Sequence, residues 1–144
     1  MIDALCEDGV AEIFITNRSI DKAQESAEHF AKYWPNVTLS AHPMSDISAL
    51  VNQSNLIINS TSLGMVGQPE LEIDLTHAPK DTIAYDLVYS PLETDFLAQA
   101  RKLDLKCVDG LGMLLHQGRP GFEIWFGKMP DATLALRDIM LSAK

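Results

Sequence analysis

Thr82-Ile83-Ala84-Tyr85-Asp86-Leu87-Val88 is a nearly continuous apolar run, followed by a helical stretch from Glu93 to Lys102 and then by Lys106-Cys107-Val108. A run of that length and composition reads as a strand buried on both faces, and strand–helix–strand is the unit from which parallel sheets are built. The same alternation continues towards the N-terminus. Asn55-Leu56-Ile57-Ile58-Asn59 reads as a buried strand, Asp46 to Asn52 as a short helix, and Val37-Thr38-Leu39 as a short strand. Before them, Ser19 caps a helix running to about Tyr33, with Ala23, Ala27, Phe30 and Ala31 on one face and Pro35 beyond its end. Ala11 to Thr16 is a run of β-formers preceded by Gly9, and Met1 to Asp8 reads as the last turns of a helix. Ser60 to about Lys80 is a polar loop bearing Gly and Pro, and two helical stretches close the chain, Gly112 to Trp125 and Asp131 to Ser142. The pattern predicts one α/β domain, a parallel sheet covered by helices on both faces.

Composition agrees and excludes other classes. The 144 residues are 47% apolar and 22% charged, enough for a core and unlike a disordered chain. Twenty acidic residues against 11 Lys and Arg give a net charge of −9, a field that repels nucleic acid and anionic lipid. No segment has the roughly 18 apolar residues of a membrane span, and the acidic N-terminus lacks the basic region of a signal peptide. Cys6 and Cys107 are too few for a disulfide framework and suit a reducing cytoplasm. His29, His42, His77 and His116 are scattered without metal-ligand spacing, so no metal site is expected.

Four motifs lie where the carboxyl ends of parallel strands place ligand-binding residues. Thr16-Asn17-Arg18-Ser19 ends the first strand without an acid; Arg18 and Lys22 suit a phosphate, and Ser19 with the helix N–H groups adds donors. The alternative is an ordinary helix cap beside a solvated Arg. Asn59-Ser60-Thr61-Ser62-Leu63-Gly64-Met65 offers amide and hydroxyl groups for a cofactor's ribose or nicotinamide, or is simply a surface turn. Asp86-Leu87-Val88-Tyr89-Ser90-Pro91 puts Tyr89 just past a strand end, where its hydroxyl reaches a substrate or its ring packs. Asp109-Gly110-Leu111-Gly112-Met113-Leu114-Leu115-His116-Gln117 combines glycines that permit close backbone approach with an amide at Gln117. Met113, Leu114, Phe122 and Trp125 read as core.

Taken together and in this order, Ile15 to Ala23, Asn59 to Met65, Asp86 to Thr94, Asp109 to Gln117 and Phe122-Glu123-Ile124-Trp125-Phe126-Gly127 with Met129-Pro130-Asp131 resemble the NADP-binding half of the shikimate dehydrogenase family. Glutamyl-tRNA reductases share an Asn-Arg strand end but not the stretch from Gly110 through Gln117 to Phe122-Glu123. The resemblance implies a Rossmann-like doubly wound sheet and NADPH-dependent, reversible reduction of 3-dehydroshikimate to shikimate on the route to aromatic amino acids. It implies that Asn17, Arg18, Ser19 and Lys22 hold the adenosine ribose and its 2′-phosphate. Asn59 and Thr61 would form the polar ledge, Leu87 and Gly110 would contact the nicotinamide end, and Tyr89 and Gln117 would touch the substrate.

Two features of the family have no counterpart in these residues. A strand and Gly-rich loop would precede the helix ending at Gly9, so the sheet is expected truncated at its first βα unit, with unpaired edges on the strands carrying Asn17 and Asn59. The family's N-terminal substrate domain, which supplies the Lys and Asp of proton transfer, is also missing. Residues 1–144 are therefore expected to be the C-terminal NADP-binding domain, with no catalytic residue of their own and no turnover alone. The alternatives are a quinate/shikimate dehydrogenase relative with broader substrate use, and a non-catalytic module pairing with a separate N-terminal half. A homodimer is the other partner expectation.

Overall fold

In the computed structural model, which describes residues 1–142, backbone contacts group the chain into two compact units, one over 1–53 and one from Ser54 onward.

The first unit runs α1 (Ile2–Glu7), β1 (Glu12–Asn17), α2 (Ile20–Ala31), β2 (Thr38–Pro43), a 3-10 turn and α3 (Ile47–Val51). Gly9, at φ +84°, makes the left-handed turn out of α1 that a residue with a Cβ rarely adopts. β1 and β2 pair in parallel, from Glu12 opposite Thr38 to Asn17 opposite Pro43. α2 buries Ala23 and Ala27, one turn apart, whose small side chains let the helix approach its neighbours closely. β2 is longer than the Val37–Leu39 run predicts. Its ladder to β1 carries on through Ser40 to Pro43, with Ser40 Oγ 2.9 Å from His42 Nε2 and the His42 ring set edge-on to Phe14.

The second unit contains β3 (Leu56–Asn59), β4 (Ile83–Asp86), α4 (Asp95–Lys102), β5 (Lys106–Val108), α5 (Gly110–Phe126) and α6 (Leu134–Ser142). β4 is central, parallel to β3 on one side and to β5 on the other, with Leu56 opposite Ile83 and Ile83 opposite Lys106. Thr82, Ala84, Asp86 and Val88 alternate into the interior, and α4, which packs on β4 and β5, buries Phe96, Leu97 and Ala100. Gln99 on α4 pins the loop before β4 like a strand neighbour. Its Oε1 accepts from Leu75 N at 2.6 Å and its Nε2 donates to Ile73 O at 3.1 Å.

The architecture is α/β with parallel strands throughout. Among the described residues no strand pairs with the second edge of β1 or of β3. α5 starts two residues earlier than its apolar pattern suggests because Asp109 caps it, and α6 starts later, after Thr133 Oγ1 accepts from Leu136 N. One expectation fails: Phe122 and Trp125 are not core. Trp125 is 79% exposed and Phe122 42%, because among the described residues no element covers the last turns of α5 or the outer face of α6; Ile124, Phe126, Leu134 and Ile139 are exposed as well.

Candidate functional site

In the first unit, Asn17 closes β1 and its Oδ1 accepts from Ser19 N at 3.1 Å, a local turn that swings the chain from strand into helix. Ser19 is the N-cap of α2 in extended conformation, yet its hydroxyl makes no cap bond, so the first-turn N–H groups meet no side chain. Arg18 and Lys22 are exposed, and neither forms an ion pair among the described residues. Asp21 is the acid in that turn. A guanidinium, an ammonium, a hydroxyl and the positive end of a 12-residue helix thus meet at one strand tip, a donor set that fits a phosphate group. A cavity of about 310 Å³ in this unit lies elsewhere: Asp3, Glu7, His29, Phe30, Tyr33 and Trp34 line it, towards the opposite end of α2, and none of the expected site residues does.

In the second unit the tips of β3 and β4 are joined. Asn59, 3% exposed, donates from Nδ2 to Leu63 O and to Asp86 Oδ1, both at 3.0 Å, and its Oδ1 accepts from Thr61 N and Thr61 Oγ1. Thr61 Oγ1 in turn accepts from Leu63 N. The amide of Asn59 is therefore fully occupied in shaping the loop, and the Thr61 hydroxyl has already committed its proton. The free hydroxyls of this ledge are those of Ser60 and Ser62, which are exposed and make no side-chain hydrogen bond among the described residues.

Leu87 is half-buried and its N–H donates to Asn59 O at 3.0 Å. Tyr89 is 48% exposed just beyond β4, and Gln117 is exposed on α5 with no hydrogen-bond partner among the described residues. Gly110 is buried, and a Cβ built on it would stand 2.3 Å from Leu87 O, 2.6 Å from Leu87 C and 2.7 Å from Val88 O. The start of α5 thus rests directly on the backbone leaving β4.

Two groups that the sequence left without a role organise this end of the sheet. Asp86 is fully buried and accepts from Asn59 Nδ2, Val88 N and Thr94 Oγ1. Asp109 caps α5 through Leu111 N and takes a bidentate pair from Arg137 on α6, at 3.0 and 2.6 Å. The hydrogen bond from Arg137 holds the Asp109 carboxyl below the usual carboxylate range against partial burial. Burial, with the nearby Asp109 charge, pushes the Tyr85 phenol up. The β4 alternation was the available signal for Asp86, since it puts that carboxylate on the same face as Ala84 and Val88.

Comparison with known proteins matches residues 1–85 to the family described as shikimate / quinate 5-dehydrogenase, and residues 110–140 to the shikimate 5′-dehydrogenase C-terminal domain. The chain belongs to the shikimate / quinate 5-dehydrogenase family. A shikimate dehydrogenase (NADP(+)) of Brucella abortus is 47% identical over 99% of this chain and 48% of its own length. The quinate dehydrogenase of Corynebacterium glutamicum, solved with NAD, superposes with TM-score 0.85 at 27% identity, over 96% of this chain and 49% of that one. The shikimate 5-dehydrogenase of Thermus thermophilus, solved with NADP(H) and shikimate, gives TM-score 0.67 at 30% identity, over 89% of this chain and 44% of that one. The chain spans about half the length of the curated relatives it matches. The fold is Rossmann-like, as in these relatives. No helix among the described residues is long and apolar enough to cross a membrane.

Proposed function

We propose that residues 1–144 supply the NADP-binding domain of a cytoplasmic shikimate dehydrogenase, an enzyme that interconverts 3-dehydroshikimate and shikimate. The observation that carries this reading is Arg18, exposed and unpaired among the described residues beside the N-terminus of α2, whose first turn has no side-chain cap. With Lys22, Asn17 and Ser19 it would hold the 2′-phosphate and ribose that distinguish NADPH from NADH. Asn59 would act through the loop it shapes, and Thr61, Leu87 and Gly110 would flank the nicotinamide end. The bound cofactor supplies the hydride. Tyr89 and Gln117 would orient the substrate, with the Tyr89 hydroxyl and the Gln117 amide as hydrogen-bonding groups for its oxygens.

The resemblance assigns the proton exchange on the reacting oxygen to a Lys and an Asp of the family's N-terminal domain, so these residues alone would bind cofactor without turning over. The exposed apolar surface of Ile124, Trp125, Phe126, Leu134 and Ile139 supports a partner. Its occupant is the half of the relatives' length that has no counterpart here, in the same polypeptide or a separate one. A homodimer through this face is the outcome that size measurement would distinguish.

The test is Arg18→Ala with NADPH and NADH titrated in parallel. Loss of charge-assisted hydrogen bonds worth about 1.5–3 kcal/mol weakens NADPH by roughly 10- to 150-fold and leaves NADH nearly unchanged. Equal weakening of both would refute the assignment. The chain assayed with shikimate and NADP should show no robust turnover until the other half is supplied. Quinate tried in place of shikimate then reads substrate breadth.

A further inference from the structure

We infer that Asp86 and Thr94 are positioning residues, a buried node that holds the loop after β3 and the segment after β4 in one rigid frame; the consequence for cofactor rests on the reading proposed above. Asp86 ends β4 with no solvent exposure and receives three donors from three parts of the chain. Asn59 Nδ2, at the end of β3, and Val88 N, on the exit from β4, both reach Oδ1 at 3.0 Å. Thr94 Oγ1, the N-cap of α4, reaches Oδ2 at 2.5 Å. No Lys or Arg forms an ion pair with it among the described residues, so its two oxygens are held by neutral donors alone.

Each partner passes the constraint on. Asn59 fixes Thr61 and Leu63 through its amide, and Val88 fixes the backbone between Leu87 and Tyr89. The two segments also touch directly through Val66 N donating to Ser90 O at 3.0 Å. Thr94 closes the ring: its methyl is where a Cβ on Gly64 would arrive, at 3.3 Å, so the loop turn and the helix cap are in contact. Thr61, Leu87 and Tyr89, on three sides of this node, therefore cannot shift independently.

The node requires an acceptor at position 86. An amide turned with its NH2 towards Thr94, whose hydroxyl can rotate to accept, keeps the Asn59 and Val88 bonds, whereas alanine removes all three. Thr94→Val removes the hydroxyl at nearly constant volume, and Thr94→Ser keeps it.

The experiment is two-dimensional amide NMR on the full chain without cofactor, together with titrations of NADPH and of adenosine 2′,5′-bisphosphate. Thr94→Val and Asp86→Ala should move the amide signals of Thr61, Leu63 and Val88 together and speed Val88 exchange about tenfold or more, with Thr94→Ser restoring the native pattern. NADPH should bind about tenfold more weakly to Thr94→Val while the adenosine bisphosphate binds as before. A lost helix cap alone would disturb α4 and leave Thr61 and Leu63 in place; that result, or an unchanged loop in Asp86→Ala, overturns the node. Should Thr94→Val not fold, Asp86→Ala against Thr94→Ser decides the same question. If the amides move as stated but the native chain binds no NADPH, the cofactor reading fails and the node stands.

Discussion

Gly110→Ala tests the packing of α5 against β4 through the sign of its effect. The added Cβ would sit 2.3 Å from Leu87 O, so the helix start or the strand exit must move by about 1 Å to restore ordinary contact. Neither is free to do so. Leu87 N is bonded to Asn59 O, Val88 N to Asp86 Oδ1, and Gly110 N to Val88 O at 3.3 Å. Overpacking of this kind costs about 1–3 kcal/mol, and the hydrogen bond most easily lost, from Gly110 itself, about 1 more. Ala works in the other direction by up to about 1 kcal/mol, through helix propensity and a less flexible unfolded chain. The net prediction is a loss of about 2–3 kcal/mol, a 30- to 150-fold shift in the folding equilibrium. Urea unfolding followed by circular dichroism should show the midpoint falling by about 1 M with the slope unchanged. Gly112→Ala is the control, because a Cβ there meets nothing within 4 Å; it should be neutral or stabilising by up to about 1 kcal/mol. If Gly110→Ala is as stable as the native chain, the close approach is not there.

Three further predictions concern other parts of the second unit and the two thiols. Asp109→Asn removes the Arg137 ion pair and weakens the α5 cap, costing about 1–2 kcal/mol at pH 7. Because the folded state lowers the Asp109 pKa, this contribution is complete above the unfolded value of about 3.9 and fades as pH falls through the folded value. The stability gap between native and variant chains should therefore close on acidification below pH of about 4, and a constant gap down to pH of about 2 would contradict the pairing. Gln99→Leu deletes both hydrogen bonds to the 73–75 segment, so Leu75 amide exchange should accelerate selectively, with a global cost of about 1–3 kcal/mol by thermal melt. Burial raises the pKa of both Cys6 and Cys107, so a disulfide reagent at neutral pH should label the native chain slowly and the urea-unfolded chain fast. Fast labelling of native Cys6, 4% exposed, would contradict its packing.

The elements were readable because periodicity and punctuation agree locally. Gly9 and Ser19 bracket β1 and α2, and the run at Ile83–Asp86 is a strand in sequence and in structure. Beyond that local signal the reading weakens for definite reasons. β2 reaches Pro43 because its partner β1 reaches Asn17, and pairing across 26 residues leaves no mark on the Ser40–Pro43 composition itself. Phe122 and Trp125 read as core because apolar spacing on a helix is the same whether the face is covered or bare. At the candidate site, the strand-end positions of Arg18 and Tyr89 are legible in the sequence, while the roles proposed for them come from the resemblance. The side-chain economy around them does not: Asn59 is consumed by Thr61, Leu63 and Asp86, the last of these 27 residues away, which only folding brings within reach. Asp109 and Arg137, 28 residues apart, are likewise silent in sequence.

The bare apolar face on α5 and α6 also bears on how much of this protein a cell would hold. Trp125 at 79% exposure, with Ile124 and Leu134 at 81% and 80%, is the kind of surface that chaperones retain and proteases are led to. Uncovered chain would be held or degraded even though its sheets are formed, and covered chain would survive. If the other half proposed above covers this face, abundance would track its supply and assembly would set the turnover rate. Pulse-chase labelling with and without that half measures it, and equal half-lives would show that the face does not govern survival.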